Sequence, residues 1–378
     1  MASLYFDNAA TSSPKPKCVY AAVADALINS NGNPGRSIHE AAERAAKTVF
    51  EAREAICRYF GSADTDNVFF TLNATAAINT VILGMKLKNG KILISDIEHN
   101  AVLRSVAEKC RREDLGIKIF KTYPDSKERS LYSFKNACTA DVCCVAVNAA
   151  SNVDGRILPI KEIGEICKRR SIPFIIDASQ LAGHSRIDLN DIHYTALCCA
   201  GHKALFSPMG CGFGIIGDIE ADIEPLIYGG NGISSKEIIV PKTMPERFEC
   251  GTVPVPNIAG LLAGVRYLEK NGNAVMKKER ENCALIIDNL QKIDGINIFH
   301  SELGVPVISI EHNIKDCDTI GNLLSERGIA VRTGFHCAPL AHYSIGTYEG
   351  GTLRISPSAF NSFGDCTYLT ESIKKIVL

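Results

Sequence analysis

Residues 171–206 read SIPFIIDASQLAGHSRIDLNDIHYTALCCAGHKALF, and this stretch decides how the chain is read. It holds two short apolar runs, 173–176 and 195–200. Each is too brief for an ordinary helix and is bounded by turn residues, so each reads as a buried strand. Both end in polar side chains, Asp177 with Gln180 after the first and His202 with Lys203 after the second. Ligands of open α/β sheets sit beyond the carboxyl ends of the strands. Two neighbouring strands of this kind aim a carboxylate and an amine into one crevice.

A lysine for a Schiff base and an acid for a pyridinium nitrogen are what pyridoxal phosphate requires. Partial desolvation lowers a lysine pKa and frees the amine to attack an aldehyde. Gln180 suits the phenolic oxygen of the ring, and His202 suits the phosphate. Taken singly, Asp177 reads more readily as a helix cap and Lys203 as a surface residue. The two together, with Gly201 permitting close backbone approach, favour the cofactor.

At 378 residues the chain exceeds one typical domain, and two are expected. Its formal net charge of −1 gives no field to attract nucleic acid or an anionic lipid surface. No run of about 18 apolar residues appears, and the first seven residues lack a signal-peptide pattern, so a cytoplasmic protein without a membrane span is expected. The 15 cysteines are scattered without a C-x-x-C pair, which speaks against zinc. Most are expected to fill core space in a reducing compartment.

Strand and helix patterns alternate up to about residue 216, the signature of a mostly parallel, helix-covered α/β sheet. Ser37, with Glu40 three residues on, reads as the cap of a long helix whose apolar face starts at Ile38. The sequence Leu72-Asn73-Ala74-Thr75 precedes a helix, and its amides with the Thr75 hydroxyl form a candidate phosphate cradle. His99 falls at a strand-to-helix junction, either to stack on a flat ring and move protons or simply to cap the helix. Arg36 lies in a glycine-flanked loop. Beyond residue 251 the texture changes, with two helical patterns at 258–270 and 274–293, then short strands and helices. The expected division is a large domain over 15–250 and a smaller α+β domain over 251–378, which the N-terminal segment 1–14 joins.

One cysteine differs in its surroundings. Cys337 lies in Val331-Arg332-Thr333-Gly334-Phe335-His336-Cys337-Ala338-Pro339, a loop with Arg332, His336 and His342 close in sequence. Nearby cations favour a thiolate. Such a cysteine is either a nucleophile or an exposed loop thiol of no consequence. Arg354, on a later strand, either grips a carboxylate bidentately or forms a surface ion pair.

Several motifs, taken in order, resemble the cysteine desulfurases and selenocysteine lyases, fold-type I pyridoxal-phosphate enzymes of the class V aminotransferase group. They are Asp7-Asn8-Ala9-Ala10-Thr11, Glu98-His99-Asn100, Ser151-Asn152, Asp177-Ala178-Ser179-Gln180, Gly201-His202-Lys203, Arg247-Phe248-Glu249-Cys250-Gly251-Thr252 and Arg332-Thr333-Gly334-Phe335-His336-Cys337. The R-x-G-x-H-C form is similar to the group II, Suf-type branch.

The resemblance implies a seven-stranded, mostly parallel sheet in the large domain, and a homodimer. It implies that Lys203 carries the coenzyme, Asp177 pairs its ring nitrogen, His99 stacks on the ring and Gln180 meets the phenolic oxygen. Ala74, Thr75 and His202 would lie at the phosphate, joined by Thr252 from a partner subunit. Asn152, Arg354, Arg332 and Arg36 would surround the amino acid, and Cys337 would accept its sulfur. The implied reaction converts L-cysteine, and also selenocysteine, to alanine. The persulfide would pass to an acceptor protein, as in iron–sulfur cluster assembly.

The chain departs from the family pattern at Ala200, where a hydroxyl residue is usual, at Ala74 and Ala76 beside Thr75, and at Phe335. Two other readings stay open at this point: a different class V reaction, such as transamination, epimerisation or a lyase step to pyruvate, and a weakly active sulfur-carrier partner.

Overall fold

The computed structural model describes residues 4–35, 38–62, 64–218, 221–232 and 236–378. Its largest element is a seven-stranded sheet in the order Val68–Thr71, Gly212–Ile216, Ala196–Ala200, Phe174–Asp177, Val142–Asn148, Lys91–Ser95 and Gly116–Phe120. Gly212–Ile216 runs antiparallel to both neighbours, and every other pairing is parallel. The central strands Phe174–Asp177 and Ala196–Ala200 are buried throughout, which is why they read as unbroken apolar runs rather than alternating ones. Their register sets Asn148 beside Asp177 and Asp177 beside Cys198, so adjacent strands end at one edge.

A second, four-stranded antiparallel sheet has the order Arg332–Gly334, Thr352–Ile355, Ile308–His312 and Ile296–Phe299. Helices Cys317–Glu326 and Phe363–Val377 cover it, with Ile310, Leu324, Leu353 and Ile373 in their shared core. Leu4–Tyr5 pairs in parallel with Ile329–Ala330, and Asp7 bridges to Ser356, so the N-terminal segment joins this C-terminal sheet. Phe6 is fully buried in the same core.

Several elements differ from the sequence expectation. The patterns at 258–270 and 274–293 form one 36-residue helix, Val255–Leu290, that runs straight through Asn271-Gly272-Asn273. An interior glycine costs a helix about 1 kcal/mol. Here Val265, Leu268 and Val275 pack into the large-sheet core, while Cys283, Ile286 and Leu290 pack into the small one, and that burial outweighs the glycine. The long helix Glu40–Phe60 is capped by His39, whose Nδ1 accepts from the Ala42 amide. Ser37, expected as the cap, lies outside the described residues, and Ile38 is 98% exposed rather than part of the apolar stripe. Short strands Ile329–Ala330 and Arg332–Gly334 precede Cys337, and a short helix, Pro339–Ile345, follows it where a loop was expected. Among the described residues, no helix is long and apolar enough to cross a membrane.

The long helix also touches the segment that carries Lys203. A Cβ on Gly264 would stand 2.1 Å from the Leu205 carbonyl oxygen, whereas one on Gly272 would meet nothing within 4 Å. The two positions therefore predict opposite outcomes. Gly272→Ala should stabilise the protein by about 0.5–1 kcal/mol through helix propensity. Gly264→Ala should lower the melting temperature despite the same propensity gain, as thermal denaturation of both variants will show.

Candidate active site

A cavity of ≈ 200 Å³ opens at the carboxyl edge of the large sheet. The large sheet contributes His99, Asn148, Asn152, Asp177, Ser179, Gln180, His202 and Lys203, and the helix entry 73–75 contributes Asn73, Ala74 and Thr75. From the small sheet come Arg332, His336, Cys337 and Arg354, while Ala9 and Ala10 close one side from the N-terminal segment. Residues spread from 9 to 354 thus meet in one space.

The structure brings together Lys203, Asp177, Gln180, His99, His202, Thr75, Ala74, Asn152, Arg332, Arg354 and Cys337, all singled out in the sequence. Thr252 does not line the cavity within one chain; it is exposed and accepts from Asn33 Nδ2 at 3.2 Å. Arg36 lies outside the described residues. Asn73, Asn148 and Ser179 were given no side-chain role at the site, although each lies in or beside a quoted motif, and His336 was placed there only as a charge beside the thiol. Asn148 and Asn73 occupy strand-end or helix-entry positions, and that placement was the available signal.

Lys203 Nζ donates to Gln180 Oε1 at 3.1 Å. The residue is partly open to the cavity, yet protein surrounds its amine closely enough that burial pulls its pKa below the ordinary lysine value, with Asp177 opposing the shift. Asp177 is 3% exposed, and its Oδ1 accepts from the Ser179 amide at 2.9 Å. The large-sheet edge thus holds an amine with a lowered pKa, a buried carboxylate whose charge acts on it, and neutral polar side chains.

His99 caps the helix Asn100–Glu113, its Nδ1 accepting from the Ala101 amide at 3.0 Å, and the same residue lines the cavity. With Nδ1 accepting, the proton of the neutral ring sits on Nε2. Burial, then the Lys203 charge, brings the His99 pKa down to about 4. Burial with Lys203 and Lys15 does the same to His202, also to about 4. Fully buried Glu98, just before His99, accepts from the amides of Ser95 and Asn148 and ties the ends of two parallel strands.

Arg354 is 1% exposed rather than a surface residue. Its Nη2 donates to Asp7 Oδ1 at 2.7 Å and its Nη1 to the Asn152 carbonyl at 3.1 Å. Cys337 is exposed and lines the cavity, while 11 of the other cysteines are buried. The loop around Cys337 is short and tethered. Asn152 Nδ2 donates to the His336 carbonyl at 2.7 Å, and the Asn100 amide donates to the Cys337 carbonyl at 2.7 Å. His336 and Cys337 both adopt left-handed backbone, φ 50° and 58°, which non-glycine residues hold only at a cost.

One expectation fails here. His336 and His342 were to supply positive charge beside the thiol, but burial lowers their pKa values to about 2 and about 4, so both rings are neutral near pH 7. His342 is fully buried and bonds Thr347 Oγ1 through Nδ1. Arg332 and Arg354 are the cations that the small sheet brings to this side of the cavity.

The residues fit pyridoxal phosphate. Eight buried side-chain polar atoms have no partner among the described residues, and six of them belong to cavity-lining residues: Asn152 Oδ1, Ser179 Oγ, Gln180 Nε2, His202 Nδ1, His336 Nδ1 and Arg354 Nε. Buried polar groups are ordinarily paired, so a cluster of orphans marks a place for a polar ligand. The helix Ala74–Gly84 begins at the cavity, capped by Asn73, and offers free amides to an anion. Ala200 lines the cavity without a hydroxyl, leaving the anion to these amides, Thr75 and His202. The neutral state of His99 is directly testable. In the apoprotein its ring resonances should titrate near pH 4, because burial and the neighbouring cations penalise the protonated form; an NMR midpoint at or above 6.5 would contradict this environment.

Comparison with known proteins agrees with this geometry. The family model for class-V aminotransferases matches residues 4–369. A probable cysteine desulfurase of Methanothermobacter thermautotrophicus is 28% identical over 381 residues, covering 99% of this chain and 94% of the relative. One from Xylella fastidiosa is 29% identical over 384 residues, covering 99% and 90%. Among solved structures, an apo cysteine desulfurase from Thermococcus onnurineus superposes with a TM-score of 0.91 at 26% identity, covering 99% of this chain and 94% of that one. A mutant enzyme with glycine covalently linked to its PLP cofactor shares the fold, with a TM-score of 0.83 at 19% identity and coverage of 98% and 96%. From the match over nearly its whole length, this chain belongs to the class-V aminotransferase family.

Proposed function

We propose that this chain is a pyridoxal-phosphate-dependent cysteine desulfurase, which takes sulfur from L-cysteine, leaves L-alanine and holds the sulfur as a persulfide on Cys337. The observation that carries the reading is that Lys203, an amine with a lowered pKa, and the exposed thiol of Cys337 line one cavity with Asp177 and Arg354. The desulfurase relatives support it.

Lys203 would hold the coenzyme covalently, with Asp177 at the ring nitrogen, Gln180 at the phenolic oxygen, and Ala74, Thr75 and His202 at the phosphate. When bound, the coenzyme supplies an electron sink for the bonds of the substrate α-carbon. Asp177 would favour a proton on the ring nitrogen through its negative charge. The Lys203 amine would remove the substrate Cα proton and could return it. His99, neutral with its proton on Nε2, would pack against the ring. Arg354 and Asn152 orient the substrate carboxylate, with Arg332 beside them. Cys337 Sγ attacks the substrate sulfur: an S–S bond forms, the Cβ–S bond breaks, and the three-carbon product gains protons to leave as alanine.

The reading includes a homodimer in which Thr252 reaches the partner's phosphate site, since it lies outside the cavity of its own chain. It also includes a protein acceptor for the sulfur, activity on selenocysteine, a cytoplasmic location, and a division into domains 15–250 and 251–378 with 1–14 joined to the second.

Incubation of the holoenzyme with L-cysteine should give alanine, no pyruvate, and a persulfide on Cys337 detectable by mass spectrometry. Lys203→Ala should abolish the visible absorbance of the bound coenzyme and the activity together. Cys337→Ser should cut cysteine turnover by about 100-fold or more, the scale on which a positioned catalytic group contributes. Unchanged turnover in that variant, or pyruvate as the keto product, would sink the assignment.

A further inference from the structure

Arg354 is not alone at its end of the cavity. His336 is 3% exposed, lines the same space, and its Nδ1 is buried without a partner. Its other ring nitrogen, Nε2, lies 2.9 Å from Oγ1 of Thr352, a fully buried residue on the strand that carries Arg354. The backbone is pinned as well, because the His336 carbonyl accepts from Asn152 Nδ2 and the residue holds φ 50°. The ring therefore cannot turn without giving up the Thr352 contact.

A buried polar atom left unpaired costs about 1–3 kcal/mol. The fold keeps two such atoms here, Arg354 Nε and His336 Nδ1, on two residues that line the same cavity. Arg354 Nε is a donor. The neutral His336 ring carries a single proton, which sits on Nδ1 in the tautomer whose Nε2 accepts from the Thr352 hydroxyl.

We infer that His336 is a substrate-recognition residue whose Nδ1–H donates, beside Arg354 Nε, to the carboxylate of the bound amino acid. The inference rests on the function proposed above and adds a third group to the two assigned there. A neutral donor beside a cationic one fits a planar anionic acceptor, so the pair selects α-amino acids over the corresponding amines. It also joins nucleophile to recognition, because Cys337 follows His336 directly: a substrate held by this ring is held by the loop that carries the thiol. The neutral ring thus has a binding task in place of the thiol-activating one expected from sequence.

Two substitutions separate recognition from scaffolding. Asparagine places its amide nitrogen near the Nδ1 position and tolerates positive φ, whereas glutamine places its amide near Nε2 and keeps the reach to Thr352. Binding of L-alanine and of ethylamine, its carboxylate-free counterpart, is followed through the visible absorbance of the holoenzyme. His336→Gln should weaken L-alanine about tenfold, the loss of one buried hydrogen bond, with ethylamine unchanged within twofold. His336→Asn should recover most of that affinity. Glutamine binding L-alanine like the parent, or both ligands weakening equally, would overturn the inference. Arg354→Lys is the control: if it leaves L-alanine binding intact, the carboxylate is not at this end of the cavity, and the functional reading fails independently of His336.

Discussion

A lysine amine crowded by protein and set near a buried carboxylate is the interaction on which the rest of this structure depends. Desolvation disfavours the ammonium form of Lys203, while Asp177 pulls the other way. The balance holds only because the two side chains leave adjacent parallel strands at the same edge, with Asp177 in register with Cys198 five residues before Lys203. Parallel pairing puts strand ends together by construction, and helices on both faces keep water from the strands themselves. The neutral histidines and the orphaned polar atoms then share one condition: a small, desolvated space whose polar groups await a ligand.

The small sheet supplies what the large sheet cannot. Arg354 and Cys337 come from the C-terminal part of the chain, and the N-terminal segment holds the strand that carries Arg354. Asp7 neutralises Arg354, and Asn8 Nδ2 donates to the Ser356 carbonyl. On its other side the same segment surrounds the His202 carbonyl with donors from Thr11 and Ser12. A buried ion pair broken on one side leaves an uncompensated charge, so the Asp7–Arg354 contact makes the N-terminal residues part of the site's architecture.

Much of this was legible in the sequence because strand ends announce themselves. A buried strand needs an apolar run, and its end needs a turn, so polar residues just past the run fall at the sheet edge whatever the detailed packing. Asp177, Gln180, His202, Lys203, His99 and Asn152 were all found that way. The long helix Val255–Leu290 was misread because Asn271-Gly272-Asn273 is a breaker by local propensity, while burial against two cores decided the outcome. The histidines beside Cys337 were misread because a sequence gives neighbours along the chain and not the solvent around them. Nothing in the residue types says that His342 is fully buried.

Local chemistry therefore fixed the strand–helix alternation, the edge at which the site forms and most of the side chains that line it, since those follow from periodicity and turn residues within a few positions of one another. Only the tertiary structure decided that Arg354 is buried against Asp7, that Cys337 is tethered rather than loose, and that His336 lines the cavity as a buried, neutral ring. Those outcomes depend on burial and on contacts between residues as far apart as 7 and 354, which no local pattern encodes.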